Sequence, residues 1–355
     1  MDPFIHTGFS SRVVHGAGSV QELKNEVAAL GVKRVMFCCT KGRVPVVEQI
    51  AGSLGNKLVG ICSEARIFVP ISAVEKGRSE ATRLNADCLV SYGGGTAVGL
   101  AKAIALQHNI PIIAIITTYS GSETTHMQGI INHDGVRKNH ADLRMLPKTL
   151  IYDPELSLDL PRDISIASGF NAIAHAISSF LGRFSNPISE MFAEAGIREM
   201  SKCLQQIAAD PYDVDARGKA LFGAWLCGTT LISAGTTLHH KMVHVLGGGW
   251  DLPHGPTHGI MLPHSTAYVR SAQPNQLKKI AHALGDEAND AAQLLHVLLK
   301  ECGVPQGLKQ LNLDREALDE ATNRIMQEPY YCAREYDRRE IRDRLEDAWG
   351  GIPPR

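Results

Sequence analysis

The sequence has no excess of either charge, because 36 lysines and arginines stand against 37 aspartates and glutamates. A chain this close to neutrality gives no electrostatic reason to bind nucleic acid or an anionic membrane surface. We find no apolar run that approaches the roughly 20 residues a membrane span requires. The start, MDPFIHTGFSSRVVHG, lacks the basic residues and apolar core of a signal peptide. We therefore expect a cytoplasmic protein without nucleic-acid or membrane partners.

Two further motifs are missing. The eight cysteines include no CxxC pair, and their spacing is not that of a small secreted domain. Reduced thiols, several of them small core residues, are the simplest interpretation. The dinucleotide fingerprint GxGxxG is also absent. What remains is a chain of 355 residues and 44% hydrophobic composition, long enough for two domains of ordinary size.

The first part of the chain alternates buried strands with helical segments. Such alternation predicts βαβ units and an α/β domain with a doubly wound parallel sheet. The predicted strands are VKRVMFCCT (32–40), ADCLVSYGGG (86–95), IPIIAIITT (110–118) and TLIYDP (149–154).

Beyond Pro154 the pattern becomes helical almost to the C-terminus. We predict an α/β domain over residues 1–157 and an all-α domain over residues 158–355. The helical segments are 164–182, 189–210, 215–248, 275–285 and 339–349.

A glycine-rich turn follows the second predicted strand and opens a helix. Glycines at this position allow a pyrophosphate to approach the backbone, and the helix N-terminus supplies N–H donors. A tight structural turn is an equally good interpretation. Hydroxyl groups end the next strand, where open α/β sheets meet their ligands. The alternative is that Ser120 or Ser122 caps a helix. The expected cofactor-binding residues are Thr40, Gly93, Gly94, Gly95, Thr96, Thr117, Thr118, Ser122 and Lys138.

The first long strand ends without the carboxylate that often binds the adenosine ribose of NAD. It ends in Cys39-Thr40-Lys41-Gly42. Nothing there repels a ribose 2′-phosphate, and Lys41 would attract one. We therefore expect either NADH or NADPH as cofactor.

Histidine is concentrated in the second half of the chain. Six of the fifteen histidines lie between His239 and His264, and His175 stands upstream in SGFNAIAHAISSF. Imidazole is the commonest metal ligand and a proton carrier near neutral pH. Four residues before His175 stands Asn171, an amide where a metal site would want a carboxylate.

Spacing places these side chains together. Asn171 and His175 are i, i+4 on one predicted helix, and His240 and His244 repeat that spacing on another, so each pair shares a face. We expect His254 in a loop. One HxxxH pair alone is more often structural or solvated, but two such pairs and a Pro-His-Gly in one domain favour a site.

Four segments resemble the signature regions of the iron-activated (group III) alcohol dehydrogenases: SYGGGTAVGLAKAIAL, TTYSGSE, SGFNAIAHAI and HVLGGGWDLPHGPTHGIMLPH. The resemblance runs from residue 16 to residue 354. It implies a dinucleotide-binding domain, a helical domain and a homodimer. In that family an aspartate and three histidines hold the metal, and these positions correspond here to Asn171, His175, His240 and His254. His244 matches a further histidine associated with catalysis.

Three features of the sequence depart from that family pattern. Asn171 replaces the aspartate, TTYSGSE is one residue shorter than the family's TTxGTxSE, and PTH follows the Pro-His-Gly. These features resemble the maleylacetate reductases, a branch that reduces an activated C=C bond with NAD(P)H in aromatic-compound degradation. Without its anionic ligand the site is a poor one for a divalent cation, so a metal is expected to be absent and the four ligand positions vestigial.

This resemblance implies reduction of the small dicarboxylate maleylacetate to 3-oxoadipate. Histidines and the Asn171 amide would stabilise an enolate oxygen by hydrogen bonding, and His244 would protonate the enolate carbon. Protonated His175, His240 and His254 would polarise the ketone or bind a carboxylate. The other substrate-binding candidates are Tyr119, Ser122, His126 and Lys241.

Three other functions remain open. The first is a metal-dependent alcohol or diol dehydrogenase in which Asn171 ligates through its carbonyl. The second is a lyase related to dehydroquinate synthase, against which the lack of a dense Lys/Arg set beside the histidines counts. The third is a non-catalytic nucleotide-binding relative, which would have lost several histidines rather than one carboxylate.

Overall fold

The computed structural model describes residues 4, 6–8 and 11–355, without the side chains of residues 232–234. The chain folds as two compact units, residues 8–160 and residues 161–355, and the described residues 4, 6 and 7 belong to the second. The boundary predicted after residue 157 lies three residues before this division.

Within residues 11–160, six parallel strands form one sheet with the order β1-β8-β5-β4-β2-β3. A separate antiparallel hairpin contains β6 and β7. The strands are β1 Arg12–His15, β2 Val35–Cys38, β3 Leu58–Cys62, β4 Cys88–Gly93, β5 Ile112–Ile116, β6 Met127–Ile131, β7 Arg137–Ala141 and β8 Thr149–Tyr152.

Apolar residues cover both faces of this sheet. Neighbouring residues of β4 point to opposite sides, so that Leu89 lies in one buried cluster and Val90 in another. Burial on both faces explains the continuous apolar runs of the central strands. The helices of this unit are α1 Leu23–Ala29, α2 Val44–Ala51, α3 Ile71–Arg83 and α4 Gly95–His108. The predicted α/β class with a parallel sheet is confirmed.

The four strands predicted from apolar runs are present as β2, β4, β5 and β8. The sheet edges were missed, because β1 is mostly exposed and β3 is only half-buried. The hairpin was missed for the same reason, since β7 has the polar sequence RKNHA. Edge strands face water and carry no continuous apolar signal.

The second unit is helical, as predicted. Its helices are α5 Arg162–Leu181, α6 Pro187–Ala209, α7 Val214–Ala234, α8 Leu238–Trp250, α9 His254–Tyr268, α10 Pro274–Ala283, α11 Ala291–Glu301, α12 Ala317–Met326 and α13 Arg338–Gly350.

The central helix of this unit is α5, which packs against α6, α7 and α9. By length and composition α5 is apolar enough to cross a membrane, contrary to the sequence-based expectation. However, 89% of its most apolar 18-residue window is buried inside the protein. We conclude that α5 is the core helix of this unit rather than a membrane span.

Two local predictions were wrong. Residues 215–248 do not form one continuous helical segment, because Gly235 has φ of 77° and separates α7 from α8. A positive φ is accessible to glycine at little cost and ends a helix. His254 does not lie in a loop but is the first residue of α9, with Pro253 at its N-cap. Pro253 is still extended, with φ of −62° and ψ of 123°, so the helix begins at the next residue.

Candidate active site

The glycine-rich turn joins β4 to α4 at the carboxyl edge of the sheet. Gly93 is the last strand residue, and α4 begins at Gly95. Gly93 has φ of 134°, a conformation that only glycine adopts readily. The prediction that this turn follows a strand and opens a helix is confirmed, and Thr96 lies in the first turn of that helix.

Hydroxyl side chains from the segment after β5 face this turn. A Cβ atom on Gly94 would lie 2.5 Å from Oγ1 of Thr118, and one on Gly95 would lie 3.2 Å from Oγ of Ser122. Thr118 Oγ1 and Ser122 Oγ are buried and have no hydrogen-bond partner among the described residues. Two unsatisfied hydroxyls that face glycines and a helix N-terminus form a cradle suited to a phosphate group.

The remaining predicted cofactor residues lie in different surroundings. Thr117 follows β5, and its backbone N–H donates to the carbonyl of Gly93 at 3.2 Å. Thr40 follows β2 at the same edge of the sheet and forms a β-bridge with Glu64. Lys138, in contrast, lies on the exposed strand β7 of the hairpin.

Six histidines from α5, α8 and α9 lie in contact with one another in the helical unit. Their neighbouring rings have centroids 4.4–6.3 Å apart. The predicted members His175, His240, His244 and His254 are all brought together, although His254 is exposed and His244 is half-buried. The others, His239 and His258, were counted in the sequence but given no role.

A chain of hydrogen bonds leads inward from His254. Nε2 of His254 lies 3.1 Å from Nε2 of His258, whose Nδ1 lies 2.8 Å from Nε2 of His239. Nδ1 of His239 in turn lies 2.9 Å from Oγ of Ser265. The Ser265 hydroxyl donates to the backbone carbonyl of Leu262 at 3.0 Å, so His239 must donate at Nδ1.

The protonation states of the buried rings complete this assignment. Burial, together with the neighbouring imidazoles, lowers the pKa of His239 to about 3 and holds the pKa of His258 well below its usual value. Both rings are therefore neutral at neutral pH. Nε2 of His239 therefore accepts a hydrogen bond from Nδ1 of His258. Nε2 of His258 in turn accepts a hydrogen bond from Nε2 of His254. The chain thus places a proton on Nε2 of His254.

His240 is also held by hydrogen bonds. Its Nε2 lies 3.1 Å from Nδ1 of His175, and its Nδ1 lies 3.2 Å from Oγ of Ser178. Burial and the surrounding imidazoles keep the pKa of His240 well below its usual value. The expectation of a protonated His240 was therefore wrong, because a cation in this buried cluster would lose its hydration and repel its neighbours. His240 can act by hydrogen bonding.

His244 lies one helical turn beyond His240 and faces Tyr330. Nδ1 of His244 is 3.2 Å from the phenol oxygen of Tyr330. The amino group of Lys241 lies 5.6 Å from the centroid of the same tyrosine ring, within the range of a cation–π contact. The predicted substrate residue Lys241 is thus beside His244. Tyr119, another candidate, is fully buried in the α/β unit.

Comparisons with known proteins agree with this architecture. Residues 10–154 match the model of the iron-containing alcohol dehydrogenases, and residues 165–349 match the C-terminal model of the same family. The chain belongs to the iron-containing alcohol dehydrogenase family. It is therefore an oxidoreductase.

Within this family the chain is similar to maleylacetate reductases over its whole length. It is 41% identical to the maleylacetate reductase of Burkholderia cepacia over 354 residues, with 100% of both chains covered. The crystal structures of the maleylacetate reductases from Agrobacterium tumefaciens and Rhizobium sp. superpose with TM-scores of 0.96 and 0.95, at 39% identity and 100% coverage of both chains. The resemblance inferred from the sequence motifs is confirmed.

The family's metal positions do not fit an iron ion in this chain. Asn171 offers an amide instead of a carboxylate, and the other three positions offer imidazoles. Nδ1 of His175 pairs with His240 and Nε2 of His254 pairs with His258, so these two nitrogens are engaged by other imidazoles. Across the described residues, no three His, Cys, Asp or Glu side chains are arranged to hold a metal.

Sequence reasoning missed the residues that support the cluster. His254 and His258 have the i, i+4 spacing that identified the other pairs, so His258 carried a usable signal. Ser178 lies three residues after His175, which is also consistent with a shared helix face. Tyr330 had no such signal, because 86 residues separate it from His244.

Proposed function

We propose that this protein is a cytoplasmic, NAD(P)H-dependent maleylacetate reductase that converts maleylacetate to 3-oxoadipate in the degradation of aromatic compounds. The observation that carries the proposal is the histidine cluster with Asn171 at the position of the family's only anionic metal ligand. Full-length similarity to several maleylacetate reductases supports it.

The glycine-rich turn would hold the cofactor. A pyrophosphate in the cradle would accept hydrogen bonds from the N-terminus of α4 and from the hydroxyls of Thr118 and Ser122, which have no other partner among the described residues. When bound, the nicotinamide supplies the hydride for the reduction. The protein would supply the position, the hydrogen bonds to the substrate and the proton.

Gly94 provides a direct test of the cradle. In Gly94→Ala, the new methyl group would lie 2.5 Å from Oγ1 and 2.6 Å from Cγ2 of Thr118, so the turn or the hydroxyl must move. We expect the KM for NADH to rise about tenfold or more, as measured by steady-state kinetics. Gly52→Ala is the matched control, because nothing lies within 4 Å of its Cβ position. Equal KM values in the two variants would contradict the assignment.

Reduction of the substrate alkene requires stabilisation of a developing negative charge. Maleylacetate carries a C=C bond conjugated to a ketone, so a hydride added to the alkene carbon β to the ketone forms an enolate with its charge on the ketone oxygen. A neutral imidazole or the Asn171 amide can donate a hydrogen bond to that oxygen without a metal. The imidazole assigned to this role is His175, one helical turn from Asn171 on α5. His240 orients it, because the two ring nitrogens of His240 are hydrogen-bonded to His175 and to Ser178.

The enolate carbon then needs a proton. We assign this step to His244, which is half-buried and lies beside Lys241. The hydrogen bond between Nδ1 of His244 and the Tyr330 hydroxyl orients the ring, and an imidazole is the usual group for such a proton transfer. Lys241 would attract a substrate carboxylate. Addition of one hydride and one proton across the double bond completes the reaction.

Turnover with an identified product tests the proposal. Purified protein is mixed with maleylacetate and NADH, NADH oxidation is followed by absorbance, and the product is identified by mass spectrometry. We expect 3-oxoadipate in a 1:1 ratio to oxidised NADH. Oxidation of an alcohol or diol with NAD⁺, without reduction of maleylacetate, would instead support the metal-dependent dehydrogenase.

Partners are also part of the proposal. We propose a small dicarboxylate as the only required ligand besides the cofactor, and a homodimer as the assembly. Apolar side chains on the outside of the helical unit support self-association, among them Phe184, Met191 and Phe222, which are 64%, 62% and 43% exposed. Sedimentation velocity at micromolar concentration distinguishes a dimer from a monomer.

A further inference from the structure

A cluster of charged residues lies beyond β2 and β3, at the same edge of the sheet as the glycine-rich turn. β2 pairs in parallel with both β4 and β3, so the carboxyl ends of these three strands are neighbours. Thr40, two residues after β2, forms a β-bridge with Glu64, two residues after β3. The structure thus supplies, from the adjacent strand, a carboxylate that the end of β2 lacks.

Glu64 is surrounded by cations. Its Oε2 atom lies 3.1 Å from Arg66 and 3.4 Å from Lys76. Burial acts to raise the pKa of Glu64, but these two residues and Lys41 outweigh burial and lower it. One carboxylate and three cations leave a local charge of about +2. Arg66 and Lys76 are more than half exposed, so their charges remain accessible to an anion.

The loop that follows Glu64 has an unusual backbone. Phe68 and Val69 have φ of 63° and 50°, in the left-handed region that bulky and β-branched residues rarely adopt. Val69 is buried, and its carbonyl accepts from the backbone N–H of Ile131. Ile67 and Phe68 remain exposed to solvent. Strained backbone of this kind is concentrated at ligand sites, and two exposed apolar side chains offer a surface for a flat ring.

We propose that this cluster binds the adenosine end of the nicotinamide cofactor and that Glu64 determines the choice between NADH and NADPH. Glu64 accepts a hydrogen bond from the ribose 2′-hydroxyl of NADH. Lys41, Arg66 and Lys76 hold the 2′-phosphate of NADPH. Ile67 and Phe68 cover the adenine ring.

This assignment explains how both cofactors are accommodated. A carboxylate alone at this position would repel the 2′-phosphate of NADPH. Cations alone would favour NADPH over NADH. The excess of positive charge around Glu64 attracts the 2′-phosphate of NADPH. The Glu64 carboxylate accepts a hydrogen bond from the 2′-hydroxyl of NADH. The inference rests on the proposed use of a nicotinamide cofactor.

Substitutions of Glu64 and Lys41 test the assignment. Glu64→Gln keeps the size of the side chain and removes its charge, so the ratio of kcat/KM for NADPH to that for NADH should rise about tenfold. Lys41→Gln should lower the same ratio. Glu48→Gln, the same chemical change at an exposed position on α2, is the control and should leave the ratio unchanged.

Binding of adenosine fragments separates this inference from the proposed reaction. Isothermal titration calorimetry with 2′-AMP and 5′-AMP reports the adenosine site without any turnover. Glu64→Gln should increase the affinity for 2′-AMP relative to that for 5′-AMP. Lys41→Gln should decrease this relative affinity. If these shifts occur in a protein that does not reduce maleylacetate, the site assignment stands and the proposed function fails. Unchanged fragment affinities in both variants would overturn the assignment.

Discussion

Replacement of His244 by alanine should lower kcat for maleylacetate by about 10²–10⁴-fold, the range lost with a general acid. The half-buried ring is adjacent to Lys241 and hydrogen-bonded to Tyr330. Its removal takes away the proposed proton donor, while the cofactor cradle lies in the other structural unit. The Kd for NADH, measured by fluorescence titration, should therefore remain within about twofold of the wild-type value.

Two further variants make this result specific. Tyr330→Phe removes only the hydroxyl that orients His244, so it should lower kcat less than His244→Ala and leave the KM for NADH unchanged. His282→Ala, an exposed histidine on α10, is the matched control and should have no effect. Wild-type kcat in His244→Ala would refute the assigned role.

Replacement of Asn171 by aspartate should create a metal site and reduce the reductase activity. Asn171 is almost fully buried on α5, one helical turn before His175. An aspartate there would restore the only anionic member of the family's ligand set, and its carboxylate would favour a divalent cation among the imidazoles. We expect about one Fe²⁺ or Zn²⁺ per chain by elemental analysis after incubation with the metal and desalting.

The Asn171→Asp substitution should lower the reductase activity for a reason that is separate from metal binding. A carboxylate accepts hydrogen bonds but cannot donate one, so the new side chain in Asn171→Asp would no longer stabilise an enolate oxygen and would repel it. Loss of one such donor typically costs about 10²–10³-fold in kcat. Asn171→Gln is the control, since it keeps the amide and should bind no metal. An Asn171→Asp protein that neither gains metal nor loses reductase activity would contradict the account.

The central elements of both units were predictable because their surroundings are simple. β4 and β5 are buried on both faces of the sheet, and this produces apolar runs that need no tertiary information. The i, i+4 spacing of Asn171 and His175, and of His240 and His244, correctly placed those pairs on helices α5 and α8. The glycine-rich turn before α4 was equally predictable from the sequence, because its backbone conformation requires glycine.

Other features depend on contacts between distant segments. β1 and β3 are edge strands, and the pairing of Thr40 with Glu64 follows from the order of strands in the sheet. Tyr330 reaches His244 only after the helical unit has folded. The charge of His240 was wrongly predicted for a related reason, since the sequence shows an imidazole but not its burial among other imidazoles.

The rate of NADH oxidation with maleylacetate in excess EDTA, after prolonged dialysis against the chelator, shows most directly whether the reduction proceeds without a metal. We expect full activity from this metal-free mechanism, with less than about 0.1 mol of metal per chain by elemental analysis, because neutral imidazoles and an amide stabilise the enolate. Loss of activity in EDTA that is restored by added Fe²⁺ or Zn²⁺ would contradict it.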